Sequence, residues 1–567
     1  MDKKTIIKTL EKIALYMELQ GENPFKVSAF RKAAQVLELD ARSLAEMDNI
    51  SSLKGIGAAT GAVIEDLITT GESSLLKELQ ESVPSGLLPM LKIPGLGGKK
   101  IAKLYKELQI DSMEALKLAC EEGKVRALAG FAAKTEEKIL AEIANFQLKP
   151  ERIAVWQLEP IVALIESTLT AIPMIEKFSV AGSYRRVKES SKDIDFIIAT
   201  SSPQEVREVL LKELPVKKII AAGDTKVSVT LDVENEVDVD FRLVEIHQYA
   251  SALNHFTGSK DHNIKMRQIA KDQGKKISEY GVELEDGTVK HFATEEDFYA
   301  YFDLPFIPPT VREDGSEFTK LDQLPLLVTL EDIRGDFHMH STWSDGAHSL
   351  EEMVDASRAK GYSHIVITDH SHYLKVANGL SKERLLNQIE TIRELNEKYT
   401  DIEIFAGTEM DILPDGSNDF DDDVLKQLDF VIASIHSSFS QPQEKIMERL
   451  LTAMKNPYVH MIAHPTGRII EQRKGYDPDV PTLIEWAKEY GKILELNANP
   501  YRLDLQTEYL KIAQEKGVPI AINTDAHHIN QLNYMDIGVR YAQKAWLYKE
   551  NIVNTWSLEK FKKFIQK

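Results

Sequence analysis

The sequence predicts a multidomain α/β protein, helical at its N-terminal end, built on a mixed sheet in its centre and closing with a distorted βα barrel. Three observations lead there. Helix-period patterning broken by Gly-hydrophobic-Gly turns fills the N-terminal part. Two central runs, Asp193 to Ile198 and Val237 to Arg242, alternate faces with a period of two. From about residue 333, short apolar runs alternate with amphipathic helices. At 567 residues the chain exceeds what one core spans, so three or more domains are expected.

At the N-terminal end, apolar spacing predicts helices over Lys3 to Leu19, Val27 to Leu37, Gly61 to Thr69, Lys99 to Leu108 and Met113 to Glu122. Between them sit Leu53-Lys54-Gly55-Ile56-Gly57 and Ile93-Pro94-Gly95-Leu96-Gly97-Gly98-Lys99-Lys100. A Gly-hydrophobic-Gly turn that opens a helix offers free backbone amides and a positive dipole end to a phosphate, so it grips a nucleic-acid backbone without reading its sequence. Gly55, Gly57, Gly95, Gly97 and Lys99 are the DNA-binding candidates. One such turn alone reads more often as an ordinary connection between helices; two favour the nucleic-acid reading. A third, Ala129-Gly130-Phe131-Ala132-Ala133-Lys134, lacks its second glycine and reads as degenerate.

In the central runs, Asp193 and Asp195 share one strand face while Ile194, Phe196 and Ile198 pack the other. The second run puts Val237, Val239 and Phe241 inward and Asp238, Asp240 and Arg242 outward. Neighbouring strands of this kind gather three or four carboxylates on one patch. Carboxylates so close repel unless cations lie between them, and all-oxygen ligation suits Mg²⁺ or Mn²⁺. Two such ions can clamp an in-line phosphoryl displacement. The bland alternative, a solvated strand edge, is weakened by Gly182-Ser183 and Arg185-Arg186 upstream, which supply close backbone approach, a hydroxyl and guanidinium forks for a triphosphate.

In the C-terminal part, Ile365-Val366-Ile367, Ile402 to Phe405, Phe430 to Ile432, Met461-Ile462 and Pro519 to Ile522 read as strands. Ser349 to Lys360, Lys382 to Tyr399 and Val480 to Tyr490 read as helices. A βα barrel carries its functional groups at strand C-terminal ends, and His338, His340, Asp345, His370, Glu409, His436, His464, Asp525 and His527 fall at or near such ends. A lone buried histidine is usually a hydrogen-bonded core residue, but a set of imidazoles and carboxylates suits Mn²⁺, Zn²⁺ or Fe²⁺, which activate water against a phosphoester. Asp369, His372, His348 and His528 read as supporting or surface residues.

Gly182-Ser183-Tyr184-Arg185-Arg186 followed by Asp193-Ile194-Asp195 resembles the palm of the polymerase-beta-like family X DNA polymerases. His255 to Ser259 with Asn263 and Met266-Arg267 resembles the family's segment around the incoming nucleotide, and Ile307-Pro308-Pro309 with Arg312-Glu313-Asp314 resembles the end of its thumb. The resemblance implies that Asp193 and Asp195 bridge two metal ions, with Asp240 on the ion that activates the primer 3′-hydroxyl. It further implies that Gly182, Ser183 and Arg186, with Arg185 as a further candidate, hold the triphosphate, Phe256 and Gly258 line the sugar, and Asn263 and Arg267 meet the nascent base pair. His255 stands where polymerase beta has a tyrosine that helps exclude a ribose 2′-hydroxyl, which leaves sugar discrimination open. The first eighty or so residues resemble the family's small lyase domain, including Phe30-Arg31-Lys32-Ala33-Ala34. Val63 replaces its Schiff-base lysine, so 5′-phosphate binding through Lys26, Lys32 and Lys54 is expected without lyase chemistry. The paired Gly turns resemble helix-hairpin-helix motifs. The C-terminal set resembles the PHP (polymerase and histidinol phosphatase) domain, with all nine positions of its metal cluster filled, and the resemblance implies occupancy by up to three ions.

The expected organisation is a helical lyase-like domain at 1–80, a helix-hairpin-helix region at 81–149, a nucleotidyltransferase palm at 150–250, a thumb at 251–314, a linker at 315–332 and the PHP domain at 333–567. The formal charge of −20 argues against tight nonspecific coating of DNA, but Lys99 to Lys106 and Lys260 to Lys276 form basic stretches that can track a backbone. One cysteine, Cys120, excludes an intramolecular disulfide framework, and no run approaches membrane length, so a monomeric cytoplasmic protein without a membrane partner is expected. The expected activity is DNA-directed polymerization from dNTPs at short gaps or primer-template ends during repair. A 3′–5′ exonuclease accompanies it, with abasic-site endonuclease or 3′-phosphodiesterase activity open to the same cluster. The competing readings are a phosphatase of small phosphomonoesters with a passenger N-terminal half, and a noncatalytic gap-binding scaffold. The complete carboxylate and histidine sets argue against both.

Overall fold

A computed structural model describes residues 3–39, 50, 53–84, 86–91, 93, 95–146, 152–234 and 236–566. Two compact units divide the chain, Met1–Pro150 and Glu151–Lys567; the boundary expected near Pro150 lies outside the described residues.

The first unit is helical. Lys3–Gln20, Pro24–Leu39, Ala58–Thr70, Ser74–Ser82, Gly98–Leu108, Met113–Glu121 and Ala133–Phe146 are its longer helices. Their apolar stripes meet in a single core that includes Leu10, Phe30, Ile64, Leu79, Leu104, Leu116 and Ile139. Residue 80, the expected division, falls inside Ser74–Ser82, and the first helix packs against helices on both sides of that position. Cys120 is buried in the same core as a free thiol.

The second unit begins with a five-stranded sheet. Asp193–Ala199 and Val237–Val244 lie side by side and parallel, with Asp193 opposite Asp238 and Asp195 opposite Asp240. Lys177–Val180 flanks them antiparallel on one side, Lys226–Leu231 and then Val216–Ala222 on the other. Phe196 stacks on Phe241, and with Ile194, Ile198 and Val239 they bury against helices Val155–Thr170 and Pro203–Glu213. The period-two pattern therefore sorts itself: apolar side chains to the helical layer, carboxylates to the opposite face. Helices Tyr249–Thr257 and Lys260–Asp272, a small antiparallel sheet and helix Glu295–Ala300 follow.

Residues 315–332, expected as a linker, are a packed connection of 3₁₀ turns. Glu317 is buried against the His262 ring at 2.7 Å, and the Val328 amide donates to the Leu547 carbonyl. The partners come from distant sequence, so the packing of this segment is not visible locally.

The C-terminal portion holds six parallel strands in chain order: His364–Ile367, Glu403–Asp411, Phe430–Ser434, Met461–Ile462, Ile493–Asn497 and Ile520–Asn523. Most of their residues are apolar, and all but Glu403 are buried, as in parallel strands wrapped by helices; the exceptions in polarity include Glu409, Asp411 and Glu495. Segment 334–340 spans the open side: the Val366 and Thr368 amides donate to the Asp336 and Met339 carbonyls, while the His340 amide donates to the Ala526 carbonyl. The sheet thus curls into a distorted barrel whose seventh position is only partly laddered. Glu409 lies within its strand, which runs two residues beyond it, and not past the strand end.

Candidate active sites

The palm carboxylates are placed by the parallel register, which puts Asp193, Asp195, Asp238 and Asp240 on one patch. Ser228 donates to Asp240 at 2.5 Å and Thr230 to Asp238 at 2.6 Å, so the neighbouring strand orients both. Lys226 Nζ lies 2.7 Å from Asp240 Oδ2. Burial, then Asp193 and Asp240, push the Asp195 carboxyl up to about 7, and burial with Asp240 and Asp238 raises Asp193. Carboxylates raised by one another's charge favour a bound cation.

Gly182 turns the chain against this patch. Its φ is +61°, and a Cβ there would stand 2.3 Å from Asp195 Oδ2, so only glycine allows the approach. The Ser183 and Ser191 hydroxyls are hydrogen-bonded. The two arginines of the loop differ. Arg185 is consumed by Glu295 at 2.6 Å and by the Thr257 hydroxyl at 2.7 Å. Arg186 donates to the Thr257 carbonyl, but its buried Nε has no hydrogen-bond partner. Gly258, at φ +71°, passes close under Arg186 Nη1, where a Cβ would meet it at 3.2 Å. Phe256 lies beneath the Arg242 guanidinium, 4.6 Å from ring centroid to Cζ. Asn263 donates to the His255 carbonyl at 2.7 Å, and Arg267, one turn further along the same helix, is exposed.

In the barrel all nine predicted ligands converge. His340, Asp345, His370 and His527 form one group of mutually close donor atoms; His338, His340 and Asp525 form a second; His370, Glu409 and His436 form a third. His464 joins through Nε2, 2.8 Å from Glu409 Oε1. Among the described residues these are the closed donor groups; the palm carboxylates form a more open patch. Glu409 Oε2 lies 2.9 Å from His370 Nδ1 and 3.4 Å from His338 Nε2, yet none of these three buried atoms makes an aligned hydrogen bond. Against the cost of burial, Glu409 and Asp411 raise His436 to about 10, and Asp345 with Asp525 raises His527 to about 9. A largely buried cluster that draws positive charge onto His436 and His527, its imidazole and carboxylate atoms packed together without aligned hydrogen bonds, fits divalent metal ions.

Known proteins match this architecture along its length. Residues 1–73 match a helix-hairpin-helix domain, 252–313 the DNA polymerase beta thumb and 336–499 the PHP domain. Over 568 aligned residues, all of both chains, the sequence is 56% identical to the DNA polymerase/3'-5' exonuclease PolX of Bacillus subtilis strain 168. The chain belongs to the family X DNA polymerases that carry a C-terminal PHP domain. Probable phosphatases of Caldanaerobacter subterraneus and Caldicellulosiruptor bescii are 32% and 33% identical over 244 and 239 residues, spanning 90% and 94% of their own lengths but 41% and 40% of this chain. A match through the whole chain disfavours the passenger reading of the N-terminal half.

In this family X polymerase the sequence reading overlooked the carboxylates that hold the barrel ligands. Glu495 accepts from His338 Nδ1 at 2.7 Å and from the His464 amide at 2.6 Å. Asp411 lies 3.2 Å from His436 Nδ1. Asp336 accepts from the Thr524 hydroxyl and the His338 amide. Asp411 and Asp336 each sit two residues along a strand or extended segment from a predicted ligand, Glu409 and His338, so the same period-two reasoning used on Asp193 and Asp195 would have found them, whereas Glu495 has no predicted ligand near it in the chain. Asp369, taken as a supporting residue, is buried and accepts from Ser341, Ser344 and Gln388. The half-buried His348 and His528 rings meet edge to face at 4.3 Å and belong to none of the closed donor groups.

The N-terminal turns of the polymerase repeat one another. The Ile56, Leu96 and Phe131 amides donate to the Leu53, Ile93 and Leu128 carbonyls at 2.9, 3.0 and 3.0 Å. Gly55, Gly95 and Gly130 take φ of +112°, +88° and +93°, and a helix follows each turn. Pro94 of the second turn lies outside the described residues. The third turn, read as degenerate, keeps the geometry because only the first glycine has positive φ; Ala132 is sterically acceptable at the helix entry. Gly57, Gly97 and Lys99 are exposed. Val63 is half-buried on the N-terminal core.

Proposed function

We propose that this polymerase fills short gaps in DNA and edits the 3′ end in the same chain. The palm adds deoxynucleotides, the PHP cluster removes nucleotides from the 3′ end, and the helix-hairpin-helix turns hold the DNA backbone. The observation that carries the palm reading is Gly182 lying directly against Asp195, which brings phosphate-binding amides to the edge of a carboxylate patch.

In this reading Asp193, Asp195 and Asp240 hold two ions, Mg²⁺ or Mn²⁺, which supply charge neutralisation along the line of phosphoryl transfer. Ser183, the Gly182 backbone and Arg186 take the triphosphate of a dNTP; Arg185, paired with Glu295, braces the loop instead. Phe256 and Gly258 bound the sugar, while Asn263 and Arg267 face the base pair. In the barrel His338, His340, Asp345, His370, Glu409, His436, His464, Asp525 and His527 would share Mn²⁺, Zn²⁺ or Fe²⁺ ions, which supply activated water for phosphodiester hydrolysis. Glu495 and Asp411 fix the tautomers of His338 and His436 so that Nε2 faces the cluster. Gapped or primer-template DNA is the macromolecular substrate, and one chain carries both sites.

The test crosses Asp193→Ala/Asp195→Ala with His338→Ala/His340→Ala on a labelled, 5′-phosphorylated one-nucleotide gap. The first variant should trim without extending and the second extend without trimming. Loss of both activities in either variant would contradict two separate sites.

A further inference from the structure

We infer that Lys544, in the last turn of a helix that packs on the PHP barrel, is a positioning residue for the polymerase site: it keeps Arg186 free to bind the triphosphate. The inference rests on the proposed role of Arg186. Helix Tyr534–Lys544 packs its N-terminal half on the barrel, where Gly538 approaches Ala498 and Ile522 so closely that a Cβ would stand 2.5 and 2.7 Å from them. Its C-terminal half reaches the palm. The Tyr541 hydroxyl bonds to Glu189, Gln543 accepts from Thr310 at 3.0 Å, and Lys544 Nζ donates to the Arg186 carbonyl at 3.1 Å.

The decisive contact is at Glu313. Three cations surround this one carboxylate. Lys188 occupies Oε2 and Lys544 occupies Oε1, while Arg186 Nε stands 4.0 Å from that same Oε1, beyond hydrogen-bonding reach. Arg186 Nε is buried and without a hydrogen-bond partner. Lys544 itself is nearly enclosed, its side chain only 12% exposed, so water does not readily take its place on the carboxylate. Lys544 thus satisfies the oxygen that would otherwise capture Arg186. Without Lys544, Oε1 turns to Arg186 and a charge-assisted hydrogen bond holds the guanidinium away from the triphosphate. Removing the charge of Glu313 as well releases it again. A lysine that merely glued two domains together would give the opposite pattern, with the second substitution adding to the first.

The experiment measures single-nucleotide gap filling by the full chain as wild type, Lys544→Met, Lys544→Arg, Glu313→Gln and Lys544→Met/Glu313→Gln, with 3′ trimming in the absence of dNTP as the control. Lys544→Met should raise the KM for dNTP about tenfold, the loss of one charge-assisted contact, and change kcat and trimming less than about twofold. Lys544→Arg should stay near wild type. The double variant should return KM to within about threefold of wild type, and Glu313→Gln alone should leave KM at or below the wild-type value. A double variant worse than Lys544→Met, an unchanged KM in Lys544→Met, or a raised KM in Glu313→Gln would overturn the inference. Failure of the wild type to extend at all would instead overturn the reading of the palm.

Discussion

Gly182→Ala is the smallest perturbation that should silence the palm. The ordinary closest approach of a methyl carbon to a carboxylate oxygen is a little over 3 Å, and the added Cβ would stand 2.3 Å from Asp195 Oδ2. Roughly 1 Å of movement is therefore needed. It falls on Asp195 or on the loop carrying Ser183 and Arg186, because Ala181 is buried behind it and its amide donates to the Asp195 carbonyl at 2.7 Å. The positive φ adds about 1 kcal/mol for any residue with a Cβ. A displacement of that size at a reacting centre costs on the order of 10²-fold in rate, so kcat/KM for gap filling should fall by about that factor or more. Trimming should be unchanged, since Gly182 and the barrel ligands lie in separate layers of the unit. The assay is single-turnover extension of a one-nucleotide gap beside trimming without dNTP. Extension within about threefold of wild type would refute the placement of the loop against Asp195.

Other expectations follow from the same geometry. Glu495→Gln removes the charge that orients His338 and should lower trimming and metal affinity about 10- to 100-fold, read by exonuclease rate and metal analysis, with extension intact. His338→Ala/His340→Ala should reduce metal bound per chain, and unchanged metal content would contradict the ligand set. His262 is wholly buried, and burial lowers its pKa below the usual 6.5 even though Glu317 opposes this. The unfolded chain therefore takes up the proton first, and this contribution to stability is present above pH ~6.5 and lost as pH falls below it. Urea midpoints followed by tryptophan fluorescence should show that loss between pH 7.5 and 5.5, and His262→Gln should flatten it. All five tryptophans, Trp156, Trp343, Trp486, Trp546 and Trp556, lie in the second unit, so the signal reports on the part that contains His262.

Much of this was legible because it rests on short periods. Asp193 and Asp195 announce a strand face, and the apolar runs before His436, His464 and Asp525 announce barrel strands, each within a few residues. What escaped depends on partners far away in the chain. Glu495 is hidden in the apolar run Ile493–Asn497, and only the barrel brings it to His338, 157 positions earlier. The packing of 315–332 was not legible because its contacts, His262 and Leu547, are supplied by other elements. The two loop arginines are indistinguishable in sequence; Glu295, 110 residues downstream of Arg185, separates their roles. The third N-terminal turn was discounted for a missing glycine at a position whose backbone does not require one.

The most direct measurement follows one labelled primer in a one-nucleotide gap with Mn²⁺, wild-type enzyme, and the complementary dNTP either present or withheld. The same chain should lengthen the primer by one nucleotide when the dNTP is supplied and shorten it from the 3′ end when it is not. Shortening under both conditions, or no change under either, would contradict a polymerase and an exonuclease sharing this chain.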